Sequence, residues 1–180
     1  FRYNFLMKSF ITIFFIIIYF SFNFAAANTN ISFIDIDKVL SSSKPALILI
    51  NQLKEIDKKN IEKLNKDEKL LQDRESKIIS QKNIISKDKL NEEIKKLKVD
   101  IKKYNENRKK IITNFNNVKL SNTNKLIQLI NPLIKNYADK NSIDIILQKK
   151  NIVMGKNESD ITDKIIDIVN INVKNFKINE

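Results

Sequence analysis

From Ala46 to about Asn117 the chain carries no glycine or proline, and aliphatic residues recur at helical intervals among Lys, Glu, Asp and Asn. Leu90, Ile94, Leu97, Ile101, Tyr104, Arg108, Ile111, Phe115 and Val118 follow an unbroken alternation of four- and three-residue steps, and eight of the nine are apolar. So narrow a stripe is the seam of a coiled coil and not the broad face of a globular helix. Arg108, the one charge in it, reads as a device for register or bending. Upstream, Ile50, Leu64, Leu71, Ile78 and Ile85 lie on a seven-residue period that Asp57 interrupts. Two seams of comparable length need a reversal, and the polar stretch 80–89 predicts it. Each limb of roughly 37 residues rises about 55 Å, against a radius of roughly 15 Å for a compact domain of this size. The hairpin must therefore project as an arm.

The two ends of the chain are patterned differently. Residues 31–36, rich in β-branched and aromatic side chains, read as a short strand; Asp37 predicts the cap of a brief helix through Val39 and Leu40, which Ser41, Ser42 and Ser43 end. Pro45 suits the first turn of the long helix, where its missing N–H costs nothing. Asn131-Pro132 reads as a fresh helix start running to about Lys140, with Asn141 as the left-handed residue that ends it. Residues 143–147 and 152–154 are two further strand expectations around a turn at 148–151. Asp160 predicts the cap of a last helix whose apolar face is Ile161, Ile165, Ile166, Ile168 and Val169. The order β-α-(long hairpin)-α-β-β-α assigns residues 28–45 and 131–180 to one small body and residues 46–130 to the arm.

The first 27 residues stand apart. Met7-Lys8 reads as a natural start, twelve of the fifteen residues from Phe10 to Phe24 are apolar, and Ala25-Ala26-Ala27 follows. A basic start, a short apolar core and small residues at the end are the parts of a cleavable secretory signal peptide. The core is shorter than the roughly 20 residues of a spanning helix. The expected mature chain begins at Asn28 and lies in the periplasm.

Composition then removes most chemistry. With no Cys, no His and one glycine, Gly155, the chain can build neither a thiol or imidazole nucleophile system nor a thiolate or imidazole metal site. A Gly-rich phosphate loop is equally out of reach. Asp35 and Asp37 lie two apart, but the simpler reading is a solvated strand residue followed by a helix cap; Asp160 and Asp163 likewise read as cap and first-turn residues. The expectation is no enzyme, no metal and no cofactor. The net charge is +12, and between Asn51 and Lys119 there are 20 Lys and Arg against 12 Asp and Glu. Part of that excess reflects a Lys-, Asn- and Ile-rich composition. The rest suits capture of acidic partners or of anionic lipid and lipopolysaccharide surfaces, with Lys95, Lys96, Lys98, Lys102 and Lys103 as the candidate cluster. Nucleic acid is not expected, since the bases are interspersed with acids and the chain carries an export segment.

These features in this order resemble the OmpH-like family of periplasmic outer-membrane-protein chaperones. The residues that carry the resemblance are the opening strand running into Asp37-Lys38-Val39-Leu40, the charged hairpin, Asn131-Pro132-Leu133-Ile134, Ile143-Asp144-Ile145-Ile146, and Asp160-Ile161-Thr162. Asn141-Ser142 departs from the glycine often found there. The resemblance implies a mostly α fold with a small β body: a jellyfish-shaped homotrimer whose strands form a barrel-like core and whose three arms enclose a cavity. It also implies an ATP-independent holdase that keeps unfolded outer-membrane proteins from aggregating on their way to the outer membrane. On that reading Ile61, Leu70, Ile79, Ile84, Ile112 and Leu120, which lie off the seams, face the client. Ile34, Ile36, Ile143, Ile145 and Leu147 build the trimer body. The alternative is a membrane-anchored structural coiled-coil protein of the cell envelope.

Overall fold

The structure, a computed structural model, describes residues 29–179; the expected signal peptide, residues 1–27, lies outside the described residues. The chain opens with strand β1 (Ile31–Ile34), helix α1 (Ile36–Ser42) and the long helix α2 (Lys44–Gln81). After a reversal at 82–86 comes α3 (Lys87–Lys140), then strand β2 (Ile145–Gln148), two 3-10 turns (Lys149–Asn151 and Asn157–Ser159) and α4 (Thr162–Asn172). At 1.5 Å per residue the 38 residues of α2 span about 57 Å and the 54 of α3 about 81 Å. Pro45 occupies the first turn of α2, as its fixed φ favours. Ser86 caps α3, its hydroxyl accepting from the Lys89 N–H.

The core gathers both ends of the chain and the roots of both long helices. Ile34, Val39, Ala46, Leu49, Leu53, Val118, Leu126, Ile130, Ile161, Ile165, Val169 and Phe176 form one buried cluster, with Ile56 and Phe115 packed against its outer edge. β1 and β2 pair in parallel, Ile31 opposite Ile145 and Phe33 opposite Leu147. Parallel strands need a long crossover, and here the crossover is the whole hairpin.

Several local expectations are overturned, each for a physical reason. β1 ends at Ile34, and the cap of α1 is Asp35, whose carboxylate accepts from the Lys38 N–H at 2.9 Å. Asp37 is instead a first-turn acid, and Ile36 is helical. No helix begins at Asn131-Pro132: α3 runs through Pro132. Leu126 and Ile130 before the proline, and Leu133, Ile134 and Tyr137 after it, pack on the same core, so burial holds both halves in one helix. Pro132 and Gln128, whose carbonyl loses its donor, are both exposed, where water can serve that oxygen. At the end of α3 the left-handed residue is Ser142, with φ 52°, and not Asn141. Asn141 caps through its side-chain amide to the Tyr137 carbonyl, while the Ile143 N–H closes a Schellman-type turn onto Ala138. Residues 152–154 form no strand. The edge of β1 away from β2 is taken by Asp160, which bridges to Phe33, and by the Ile161 N–H, which donates to the Phe33 carbonyl. The chain after β2 winds into a 3-10 turn and leaves Val153 and Met154 fully exposed. α4 begins at Thr162, and Asp160 accepts from the Thr162 N–H just ahead of it.

The seams are also corrected in part. In α3, Leu97 and Val118 are buried and Leu90, Ile94, Tyr104, Ile111 and Phe115 half-buried, but Ile101 and Arg108 are exposed, and Asn107 turns inward in place of Arg108. In α2 the covered positions run Leu49, Leu53, Ile56, Asn60, Leu64, Asp67, Leu71, Arg74, Ile78. Two consecutive four-residue steps at Asn60 absorb the interruption that Asp57 signals, a local unwinding of the heptad.

Candidate functional site

The arm presents two kinds of surface. Off the seams, Ile61, Leu70, Ile79, Ile84, Ile112 and Leu120 are all exposed, from 47% for Ile112 to 80% for Ile84. They are spread along both helices and, at Ile84, the reversal between them, and are not gathered into one pocket. Near the reversal an open groove of about 420 Å³ is lined by Ile78, Ile79, Leu90, Ile94, Leu97 and Ile101 together with Glu75, Lys82 and Lys98. Spacing along one helix does not announce this groove, because residues of both helices form it.

Between these apolar residues the charges fall into a locked set and a free set. Arg74 of α2 reaches across to Asp100 and, at 3.3 Å, to Glu93 of α3, fixing the register of the limbs. Lys96 pairs with Glu92 at 2.6 Å and Glu93 at 3.3 Å. Hydrogen bonds that it donates to Glu92 and Glu93 hold the Lys96 ammonium above its usual range, and the bond from Arg74, with that from Lys96, holds the Glu93 carboxyl below its own. Lys95, Lys98, Lys102 and Lys103 are exposed and make no ion pair among the described residues. Of the five lysines named from the sequence, Lys96 is thus the one already held by acids.

In the body, Ile34 is buried, and Ile36 and Ile143 are half-buried against the core. Ile145 and Leu147, expected in the core, are each 44% exposed in the single chain, beside Ile31 at 45%. The alternation of the strand explains it: Ile146 takes the inward place. Phe33 is covered by Gly155, where an added Cβ would lie 2.7 Å from the ring.

The carboxylates near β1 are structural. Thr162 Oγ1 accepts the Asp35 N–H at 2.9 Å and donates to Asp160, which also pairs with Lys149 at 2.7 Å. Burial pushes the Asp160 carboxyl up, but Lys149 and the hydroxyl and N–H of Thr162 outweigh it and hold the group down to about 2. Among the described residues no cluster of acids is arranged to hold a metal ion, and no helix is long and apolar enough to cross a membrane. The sequence reading missed Asn122 and the tail beyond α4. Their signals were an amide one step past Val118 in the seam and the spacing of Val173, Phe176 and Ile178.

Comparison with known proteins adds three findings. The chain is similar in structure to a candidate outer membrane chaperone (OmpH-like) from Caulobacter crescentus CB15, with a TM-score of 0.73 at 16% identity, over 87% of this chain and 92% of that one. At that identity the likeness speaks for the fold: a long helical hairpin on a small sheet-bearing body. A search of curated proteins finds no match. The profile of the family described as Outer membrane protein (OmpH-like) matches residues 30–169, from just before β1 to within α4, and on that match the chain belongs to the OmpH-like family.

Proposed function

We propose that this chain is an ATP-independent periplasmic holdase for unfolded outer-membrane proteins. The observation that carries the reading is the set of aliphatic side chains left exposed along a helical arm whose own seam is already satisfied: Ile61, Leu70, Ile79, Ile84, Ile112 and Leu120. Scattered, shallow apolar contacts bind a polypeptide through non-directional burial and so do not select its sequence. The exposed Lys95, Lys98, Lys102 and Lys103 raise the capture rate for acidic chains, and the same charge suits anionic lipid or lipopolysaccharide at the outer membrane. Membership of a non-enzymatic family agrees with a binding role. Release needs no nucleotide, since insertion into the membrane is far more favourable for the client than staying bound.

In this reading the body is a homotrimer. The exposed face of Ile31, Ile145 and Leu147 supplies the surface that three copies would bury, and an isolated pair of four-residue strands is marginal in water without more partners. The body then comprises the two chain ends with the helix roots, and the arm is what extends past Ile56 and Phe115. Dilution of a urea-unfolded outer-membrane β-barrel protein into buffer with residues 28–180 tests the function. Light scattering by the client should be suppressed without nucleotide, and suppression should weaken severalfold when Ile61, Leu70, Ile112 and Leu120 are changed together to Ser. Unchanged aggregation with the intact chain would overturn the reading.

A further inference from the structure

Beyond α4 the backbone turns at Asn175, whose φ is 56°, and residues 176–179 lie across the roots of α2 and α3. Phe176 enters the core, 5% exposed. The rest of the segment is held in a different way, by side chains of the arm root that bind its main chain. Gln52 Oε1 accepts the Ile178 N–H at 3.1 Å, and Lys125 Nζ donates to the Lys177 carbonyl at 3.0 Å. Asn122 accepts the Asn179 N–H at Oδ1, 2.8 Å, and donates through Nδ2 to the Asn179 carbonyl at 2.9 Å. The other amide hydrogen of Asn122 goes to the Val118 carbonyl at 2.7 Å, leaving this buried amide no idle donor. Side chains are read by the core, which takes Phe176 and packs against Ile178, and by Lys125, which reaches the Asn179 Oδ1 at 3.0 Å and lies 5.5 Å from the centroid of the Phe176 ring.

Asn122 meets Asn179 as a neighbouring strand meets one residue of a β-strand, giving and taking one hydrogen bond. Such contacts are blind to sequence, which is the requirement for a binder of many chains. The occupant also lies outside any helix or sheet ladder, the kind of segment that opens at low cost. Once it leaves, Gln52, Asn122 and Lys125 lose the main-chain partners they hold, and another extended backbone can replace them. We infer that the groove at the arm root is a binding site for extended polypeptide, filled in the resting chain by its own residues 176–179 and taken over by segments of an unfolded client. The inference rests on the holdase reading for the nature of the competitor.

A fluorescent peptide copying residues 173–179 tests the groove directly, added to full-length Phe176→Ala protein, whose own tail is weakened. Saturable binding by anisotropy is expected, at least tenfold weaker when Asn122→Leu is added. Ile178→Pro removes the N–H that Gln52 accepts without touching the Phe176 pocket, and it gives the same readout if Phe176→Ala loosens the core. In the wild-type chain, hydrogen exchange at the Ile178 and Asn179 amides should quicken when an unfolded outer-membrane protein is bound. No peptide binding by a folded variant whose tail amides exchange freely would overturn the inference. So would client binding that leaves those amides as protected as before, or peptide uptake that occurs only as copies of the chain exchange tails. Peptide binding by a chain that suppresses no client aggregation would sink the holdase reading and leave the groove standing.

Discussion

Asp160 ties the turn after β2 to the start of α4 through Lys149 and Thr162, while its backbone bridges to β1. Its carboxyl titrates at about 2 in the folded chain, below the ~3.9 of an unfolded aspartate. The stability it adds is therefore complete above about pH 4 and is lost as pH falls through about 2. Urea melts of the wild type should show this decline over that window, and Asp160→Asn should show less of it while costing about 1–2 kcal/mol at neutral pH. Wild-type and variant curves that stay parallel down to pH 2 would contradict the assignment. Gly155 is required for a different reason. No positive φ is involved; the site lacks space, because an alanine Cβ would stand 2.7 Å from Phe33 Cε1, and the ring is only 8% exposed. Gly155→Ala should cost about 1–2 kcal/mol by overpacking. Phe33→Leu in the same chain should make the Gly155→Ala step cheaper, a coupling that a double-mutant cycle on urea midpoints would measure.

At the level of elements, what could be read from the sequence was what periodicity encodes. The hairpin, its reversal near residue 82 and the face of α4 follow from residues such as Leu97, Val118, Ile165 and Val169, each fixed by spacing alone. What could not be read depended on neighbours distant in the chain. Asp35 displaces Asp37 as cap because Thr162 holds the Asp35 N–H. Residues 152–154 are denied the far edge of β1 because Asp160 already bridges to it. Arg108 yields the seam to Asn107, a one-residue shift invisible to a counting rule. The exposure of the arm aliphatics was legible from their off-seam places, whereas the root groove was not, since Gln52, Asn122 and Asn179 meet only in the fold. Pro132 is the sharpest case, a local stop signal overridden by burial on either side of it. The proline removes one backbone bond from a helix that forms regardless, so Pro132→Ala should stabilise the protein. The gain expected is about 1–2 kcal/mol, smaller than the ~3 kcal/mol cost of an interior proline, because the unfolded chain also gains freedom. A lower melting temperature in the alanine variant would mean that the proline shapes the helix in a way the core depends on.

For the whole molecule, the exposed face of Ile31, Ile145 and Leu147 lets the proposed trimer be tested apart from chain folding. Ile145 is half in water in the single chain, so Ile145→Asp should leave the helical spectrum intact while preventing association. In an assembled trimer the same carboxylate would be buried unpaired at a cost of several kcal/mol. Light scattering coupled to size exclusion should give a folded monomer for Ile145→Asp. A Lys102→Asp, Lys103→Asp double variant on the arm should keep the wild-type mass and capture client more slowly. A fully assembled Ile145→Asp protein would place the interface elsewhere. The parallel pairing of β1 with β2 has a further consequence, in the time the chain takes to fold. Ile31 cannot meet Ile145 until nearly all of the intervening sequence has emerged, and closing so long a loop of free chain is slow. The hairpin removes that obstacle, because its contacts begin between residues adjacent at the reversal and propagate outward, drawing the two chain ends together as they go. The arm is then the nucleus on which the body is assembled. Ile78→Ala, near the tip, should slow refolding severalfold and barely change the unfolding rate, whereas Ile165→Ala in the body should mainly speed unfolding.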